Sequence, residues 1–270
     1  MTVMDDGSIC VNDSELGWMR FNSAGQIVST SLLPGQVPRP CFFKEMDSLN
    51  VIGMLSELSR GDNCLLTDKR ICTWNADDPD SVITEYYSRQ YSIEIGDDYL
   101  LSMNDMVEID YFPMVFTVGD SFVCIAPEPR AEPVLLLFHE DGSAMDTLNL
   151  PYPEVVRTEE EILERKQYVE ELFYVRSRHT HQVDWEPFPN KPMITNLGVD
   201  SLNRIWVQRG FEQDPTFDLY DVSGEHLITA VLPGRDDTVH WKFNISSRGI
   251  LAVPEALESY YSVYMISADF

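Results

Sequence analysis

The sequence predicts an all-β fold, a β-propeller of four-stranded meander blades, because one pattern of short strands and tight turns recurs along its 270 residues. In each copy, a polar turn leads into a short strand of β-branched or aromatic residues, and a second strand ends on an aromatic residue. A tight turn with glycine then reverses the chain, and a third strand stops at a proline. Three consecutive antiparallel strands form a meander, the unit from which a propeller blade is built.

Three copies of the pattern are clear, and they span residues 5–34, 119–151 and 200–233. Residues 193–197 supply an innermost strand for the third of these copies and complete a four-stranded blade. The regular spacing of strands and glycine turns therefore predicts blades at the start, in the middle and near the end of the chain.

Two fainter copies fill the remaining stretches. Residues 63–67 and 70–74 have the composition of two strands that lead to a third at 82–87, and residues 249–254 lead to a strand at 260–266. We therefore expect four to five recognisable blades in this sequence.

The copies lie further apart than the roughly 40 residues of one blade. Insertions account for the excess, and the sequence predicts an extra strand pair at 91–103 and a longer insertion at 154–192. A β-sandwich of many short strands is the alternative fold, but a sandwich has no reason to repeat the same strand–turn–strand pattern. We expect a single propeller domain over 1–270.

The insertion is predicted to contain one helix, over 158–176. Thr158 and Glu161 form a capping box, in which each side chain meets the backbone N–H of the other residue. An apolar stripe at helical spacing follows, which predicts that the helix lies on the propeller by this face. Its residues are Ile162, Leu163, Val169, Leu172 and Phe173. Such a helix is a strut between two blades or, alternatively, a lid or docking helix.

The charge balance restricts the partners. The chain has 45 acidic against 19 basic residues, a net charge of −26, and such a surface repels phosphate backbones, so no nucleic-acid ligand is expected. The longest aliphatic and aromatic run, Val134–Phe138, is far shorter than the roughly 20 residues that cross a bilayer, so no membrane-spanning segment is expected.

The five cysteines follow neither a zinc-binding pattern nor a disulfide framework. Cys10, Cys72 and Cys124 lie in strand-like runs, which favours small buried thiols. A Cys64–Cys72 bridge across a hairpin is left open as an alternative.

Aromatic residues provide the candidate contact. Trp18, Trp74 and Trp206 lie within strand patterns and are expected to pack between blades. Trp185 lies in a proline-flanked loop, so it is the candidate for an exposed contact with a ligand.

The sequence identifies no catalytic residue, no cofactor site and no metal site. His179 and His181 could bind a metal, but no third ligand is fixed, which favours solvated loop histidines. Residues 75–80 are rich in oxygen ligands but lack the spacing of a calcium loop, which favours a solvated turn. We also find no GxSxG, HExxH or glycine-rich phosphate motif.

The motifs at 157–161, 199–207 and 220–224, and more weakly at 21–25, resemble six-bladed β-propeller proteins related to NHL-repeat proteins, a bacterial group of often exported chains. The resemblance implies six blades in the full protein and a periplasmic or extracellular location, and it supplies no catalytic residues. The sequence departs from the group between 42 and 102, where blades are degenerate, and it lacks the glycine-rich NHL motif.

The two ends of the sequence bear on completeness. The last copy stops after its third strand, and the first begins directly at its inner strands, so no strand is left to close the ring. We therefore expect further residues upstream of Met1, although the sequence from Met1 has no signal peptide. The expected function is non-catalytic binding or scaffolding of a protein, peptide or glycan; the alternative is a metal-dependent, lactonase-like hydrolase that uses the propeller channel.

Overall fold

A computed structural model of the chain describes residues 2–4, 6–13, 17–31, 39–62, 64–94, 114–167, 187–212, 214–232, 240–246, 249–255 and 264–266. The strands are β1 (Thr2–Val3), β2 (Ile9–Asp13), β3 (Gly17–Phe21), β4 (Ile27–Ser31), β5 (Arg39–Glu45), β6 (Asn50–Arg60), β7 (Cys64–Asn75), β8 (Asp78–Glu94), β9 (Val115–Val118), β10 (Phe122–Ala126), β11 (Val134–His139), β12 (Ala144–Asn149), β13 (Ile194–Val199), β14 (Ile205–Arg209), β15 (Thr216–Tyr220), β16 (His226–Val231), β17 (His240–Ser246), β18 (Gly249–Glu255) and β19 (Tyr264–Ile266). In the part of the chain described here there is one helix, α1, which covers 159–167.

Within these residues the strands form five antiparallel meanders. Sheets I (β1–β4), II (β5–β8), III (β9–β12) and IV (β13–β16) have four strands each, and sheet V (β17–β19) has three. In every sheet, strands that follow one another in the chain are hydrogen-bonded neighbours. The predicted all-β class and the four-stranded meander blade are therefore confirmed, including the innermost strand expected near 193–197.

The repeated pattern corresponds to one hairpin geometry. In sheets I, III and IV the third strand ends at or next to Phe21, Phe138 and Tyr220, and the pairing register shifts at that residue. The glycine in the following turn has φ of +76° at Gly25 and +84° at Gly142 and Gly224. These are left-handed conformations that side chains with a Cβ rarely adopt, which explains why glycine recurs at this place in each copy.

Sheet II corrects two expectations. Apart from residue 63, which lies outside the described residues, the predicted strands at 63–67 and 70–74 are one continuous strand, β7, which pairs with β6 along the whole of Arg60 to Asn50. Cys64 and Cys72 are thus eight residues apart on one extended strand, about 26 Å at 3.3 Å per residue, so no disulfide can join them. Both are free thiols. Of the predicted strand pair at 91–103, residues 91–94 are the end of β8 and the rest lies outside the described residues.

Contacts between residues divide the chain into two compact units. Unit 1 comprises Met1–Phe112 and Asp141–Ser143. Its core contains Trp18 of sheet I and Trp74 of sheet II, both fully buried, with ring centroids 5.9 Å apart. The Trp18 indole donates a hydrogen bond of 2.7 Å to the Ala76 carbonyl. The expected packing role of these two tryptophans is confirmed.

Unit 2 comprises Pro113–Glu140 and Ala144–Phe270. Its innermost strands lie side by side, with β13 next to both β9 and β17. At Gly198 of β13 an added Cβ would lie 2.1 Å from the Cβ of Ile245 on β17, so the two backbones approach closely there. Trp206 is buried between sheets IV and V, which confirms its expected packing role.

Helix α1 begins as predicted. The Glu161 carboxylate accepts a hydrogen bond of 2.9 Å from the Thr158 N–H, and the Thr158 hydroxyl accepts one of 3.2 Å from the Glu161 N–H. The predicted continuation to 176 lies outside the described residues. Ile162 is half-buried, but Leu163 is 57% exposed, so the prediction that both pack on the propeller is wrong for Leu163. No helix among the described residues is long and apolar enough to cross a membrane.

Candidate binding surface at the inserted segment

A buried carboxylate marks the part of unit 2 from which the insertion emerges. Asp218, on β15, is fully buried and lies against side chains from several elements; we call Tyr152, Arg209, Asp218, His226 and Thr229 the Asp218 cluster. Arg209 donates two hydrogen bonds to the carboxylate, from Nε at 2.7 Å and from Nη2 at 2.9 Å. The hydroxyls of Thr229 and Tyr152 donate two more, at 2.6 and 2.7 Å.

These donors decide the charge of Asp218. Burial alone would raise its pKa, but the hydrogen bonds from Arg209, Thr229 and Tyr152 outweigh burial and hold the pKa below the usual value of 3.8. Burial and the hydrogen bond to Asp218 raise the pKa of the Tyr152 phenol. The carboxylate is therefore an acceptor and the phenol a donor at neutral pH.

The Asp218 cluster is an addition to the blade pattern. Asp218 lies opposite Thr229, on the third and fourth strands of sheet IV. The same position pairs Met19 with Thr30 in sheet I and Leu136 with Thr147 in sheet III. The threonine recurs in each copy, whereas the residue opposite is apolar in two sheets and a carboxylate in the third. A blade can therefore form without this charge, and the charge serves something specific to sheet IV.

The geometry of the cluster does not match an acid–histidine–nucleophile relay. In such a relay the two imidazole nitrogens contact the carboxylate and the hydroxyl separately. In this cluster His226 approaches both groups with the same Nε2 atom, 3.2 Å from Asp218 and 3.0 Å from Thr229. The Thr229 hydroxyl donates its proton to Asp218, so the imidazole does not activate it. What the cluster does is hold Tyr152.

Tyr152 is fixed on its ring face as well. Its ring lies edge-on to Phe211 with centroids 5.6 Å apart, and the Arg209 guanidinium lies 5.6 Å from the Tyr152 centroid and 5.8 Å from that of Phe211. Cations over aromatic faces are favourable, so the guanidinium binds the ring and the carboxylate together. Tyr152 lies two residues before the insertion begins at 154, and the cluster therefore fixes the point where the chain leaves sheet III.

The insertion closes on itself at its base. Val156 and Asn190 form an antiparallel bridge, flanked by a hydrogen bond of 2.7 Å from the Arg157 N–H to the Pro189 carbonyl and one of 2.8 Å from the Lys191 N–H to the Val155 carbonyl. An ion pair between Lys191 and Glu161 ties the returning chain to α1. The outgoing chain, the returning chain and the start of the helix are thus joined.

Apolar side chains nevertheless point to solvent from this braced segment. Val156 is 67% exposed, Leu163 57% and Phe188 43%. Arg130 lies over the Phe188 ring, 4.9 Å from its centroid. We call Val156, Leu163 and Phe188 the insertion surface. Exposed apolar groups on a rigid support are a usual feature of protein interaction sites.

The residues singled out from the sequence lie elsewhere or outside the described residues. Trp185, His179 and His181 all fall outside them. Of the expected turn at 75–80, only Ala76 and Asp77 form a turn, because Asn75 ends β7 and Asp78 begins β8. Asp77 is the partner of Arg20 at 3.1 Å and of the Ser29 hydroxyl at 3.0 Å. No group of three or more His, Cys, Asp or Glu residues in the described ranges could hold a metal ion.

Sequence reasoning missed the Asp218 cluster and the exposed residues of the insertion base, although part of the signal was present. Asp218 stands where the aligned copies have Met19 and Leu136, and Tyr152 follows a Leu-Pro pair where the first and third copies have glycine. A charged residue at a position that is apolar in the other repeats indicates a site-specific role.

A scan against protein-family models gives no match, and a search of curated proteins gives none either. Among solved structures, the chain is similar to a chain from a structural and mechanistic analysis of two prolyl endopeptidases, with 10% sequence identity and a TM-score of 0.38. The match covers 97% of this chain and 38% of that chain. The present chain thus spans well under half the length of the solved protein.

Proposed function

We propose that the chain is a non-catalytic binding or scaffolding module, whose ligand contacts the insertion surface. The observation that carries the proposal is the combination of exposure and support: Val156, Leu163 and Phe188 are exposed on a segment that is closed by the Val156–Asn190 bridge. The Asp218 cluster fixes the chain just before this segment, so the surface is positioned before a ligand arrives. Such preorganisation lowers the entropic cost of binding.

The proposal extends to architecture and location. The meander sheets are the units of a propeller, and the resemblance of the sequence to NHL-related propellers supports a six-bladed ring. The same resemblance supports a periplasmic or extracellular location. Trp185 belongs to the same insertion, and we propose it as a further ligand contact.

A ligand selection tests the binding function. Peptides are selected from a random phage-displayed library on the immobilised protein, and each selected peptide is measured by titration against two triple variants. One carries Val156→Ser, Leu163→Ser and Phe188→Ser. The control carries Val28→Ser, Ile83→Ser and Leu202→Ser, positions that are 57%, 57% and 62% exposed outside the insertion.

We expect the first variant to bind the selected peptides at least tenfold more weakly than the unmodified chain does. The control variant should bind them with an affinity within twofold of that of the unmodified chain. The loss of three apolar contacts from the centre of an interface accounts for the difference, because such contacts dominate binding energy. If no peptide is enriched over a blank surface, or if both variants bind like the unmodified chain, the proposed function is wrong.

A further inference from the structure

The ligand of the insertion surface can be specified further from the charges around it. We propose that this surface binds a basic peptide segment, with its apolar side chains on Val156, Leu163 and Phe188 and its lysine or arginine side chains on the carboxylates of α1. The inference rests on the proposed binding function and adds the chemical class of the partner.

The outer face of α1 combines carboxylates with one apolar residue. Glu160, Leu163, Glu164 and Gln167 are all exposed. Their spacing of three, four and seven residues places them on one face of the helix. Glu159, in the first turn, is exposed as well. A ligand that contacts Leu163 therefore meets carboxylates on both sides of it.

The cations of the same segment are more enclosed than these carboxylates. Lys191 pairs with Glu161, and Arg165 and Lys166 are half-buried, each with partners of its own. Lys191 therefore neutralises a carboxylate within the chain, and none of the three cations is as exposed as Glu159, Glu160 and Glu164. The exposed side of α1 is therefore acidic and apolar, which is complementary to a segment that is basic and apolar.

The helix dipole does not fully explain this distribution. Carboxylates in the first turn are favoured by the positive end of the helix, which accounts for Glu159 and Glu160. Glu164 lies in the second turn, where the dipole has little effect, and it stands four residues after Glu160, a spacing at which like charges repel. A basic ligand would relieve that repulsion, whereas a nucleic acid or an acidic peptide would add to it.

Two synthetic probes test the inference. One is a fluorescein-labelled peptide of three Lys-Leu-Leu-Lys repeats, and the other has glutamate in place of every lysine. Because a chain with a net charge of −26 attracts any cation, the key comparison is between variants of equal charge. The site variant is Glu159→Gln/Glu160→Gln/Glu164→Gln. The control, Asp78→Asn/Glu132→Gln/Glu225→Gln, removes three exposed carboxylates from elsewhere.

We expect the basic probe to bind the site variant at least fivefold more weakly than the unmodified chain, with less than a twofold effect of the control. Glu164→Lys alone should weaken binding further than Glu164→Gln alone. If the triple variant folds poorly, this single variant keeps the two first-turn carboxylates that favour the start of α1. Fluorescence anisotropy measures all of these affinities. The difference in affinity between the unmodified chain and the site variant should decrease as the salt concentration rises from about 50 to about 500 mM.

Equal losses in the site and control variants would overturn the inference, because they would show attraction to net charge alone. If the acidic probe binds as well as the basic one, and Val156→Ser/Leu163→Ser/Phe188→Ser abolishes its binding, the binding function stands and the assignment of a basic partner is wrong. If the apolar variant weakens the binding of the library peptides but not of either synthetic probe, the inference of a basic partner is wrong and the proposed binding function stands.

Discussion

Arg209 and Asp218 form a two-point ion pair between neighbouring strands of one sheet, with Nε 2.7 Å from one carboxylate oxygen and Nη2 2.9 Å from the other. The carboxylate is fully buried, whereas the guanidinium keeps a quarter of its side-chain surface in solvent. Arginine suits this place because its planar group matches both carboxylate oxygens at once. The same guanidinium lies over Tyr152, so the pair connects the interior of sheet IV to the root of the insertion.

Asp218→Asn should destabilise unit 2 substantially. The substitution keeps the shape of the side chain but leaves the Arg209 charge without its buried counter-charge and supplies an N–H₂ group where Arg209, Thr229 and Tyr152 all donate. Breaking a buried ion pair by removing one partner costs about 3–5 kcal/mol, and the partial exposure of Arg209 reduces this to about 2–3 kcal/mol. Urea unfolding measures the change.

Glu212→Gln is the matched control. Glu212 contacts the same guanidinium, at 3.1 Å from Nη1, but its side chain is 39% exposed. An exposed ion pair contributes about 0–1 kcal/mol, so this variant should unfold close to the unmodified chain. Equal losses in the two variants would contradict the assignment of the stabilisation to the buried carboxylate.

The contribution of Asp218 to the free energy of unfolding should decrease on acidification. Its pKa is lower in the folded chain than its usual 3.8, because the donated hydrogen bonds outweigh the effect of burial. The folded state therefore favours the deprotonated form, and the stabilisation is complete above the unfolded pKa and lost as the pH falls through the folded pKa. The gap in unfolding free energy between the unmodified chain and Asp218→Asn should stay constant from about pH 7 to about 5 and narrow below about 4.

Several other carboxylates, including Asp6, Asp47 and Asp200, also have lowered pKa values. Both chains contain these carboxylates, so their contribution cancels when the unfolding free energy of Asp218→Asn is subtracted from that of the unmodified chain. The unfolding free energy of the unmodified chain alone, followed against pH, would still include it. A gap that widens on acidification would show that the folded chain holds the Asp218 proton more tightly than the unfolded one, which is opposite to the effect of a lowered pKa.

The blade pattern could be predicted from the sequence because its signals are local. The aromatic residue, the turn and the positive-φ glycine lie within a few residues of one another, as at Tyr220 and Gly224, and they recur in register. Strand β7 was predicted wrongly for the opposite reason. The polar pair Asp68-Lys69 between two apolar runs has the composition of a turn, yet both residues continue the ladder with β6. Pairing with a distant strand overrode local composition.

The candidate site could not be predicted in the same way. Tyr152 and Asp218 are 66 residues apart, and only the packing of sheet IV against the root of the insertion brings the phenol to the carboxylate. The exposure of Leu163 is likewise a property of how α1 is oriented. Its place in the apolar stripe predicted that Leu163 would be buried, and that prediction is wrong. Periodicity shows which residues share a face of a helix but not what that face contacts.

Trp18 and Trp74 give a matched pair in the core of unit 1. Both are fully buried and their rings touch, but the Trp18 indole donates to the Ala76 carbonyl at 2.7 Å, whereas the Trp74 Nε1 has no hydrogen-bond partner among the described residues. Trp18→Phe leaves a buried carbonyl without its donor, and Trp74→Phe removes a donor that is already unpaired. We expect Trp18→Phe to cost about 1–2 kcal/mol more than Trp74→Phe in urea unfolding. Equal costs would indicate that ring volume alone decides both.

The cysteines should separate by reactivity. Burial raises the pKa of Cys10 to about 11 and that of Cys72 to about 12, and both side chains are fully enclosed. Because the thiolate is the reactive form, neither should react with iodoacetamide at about pH 8 in the folded chain, whereas the half-buried Cys64 should react before either of them. Mass spectrometry of peptides from native and urea-treated samples measures each site. An oxidised sample in which Cys64 and Cys72 are joined would contradict the continuous strand β7, since their separation along it is several times the span of a disulfide.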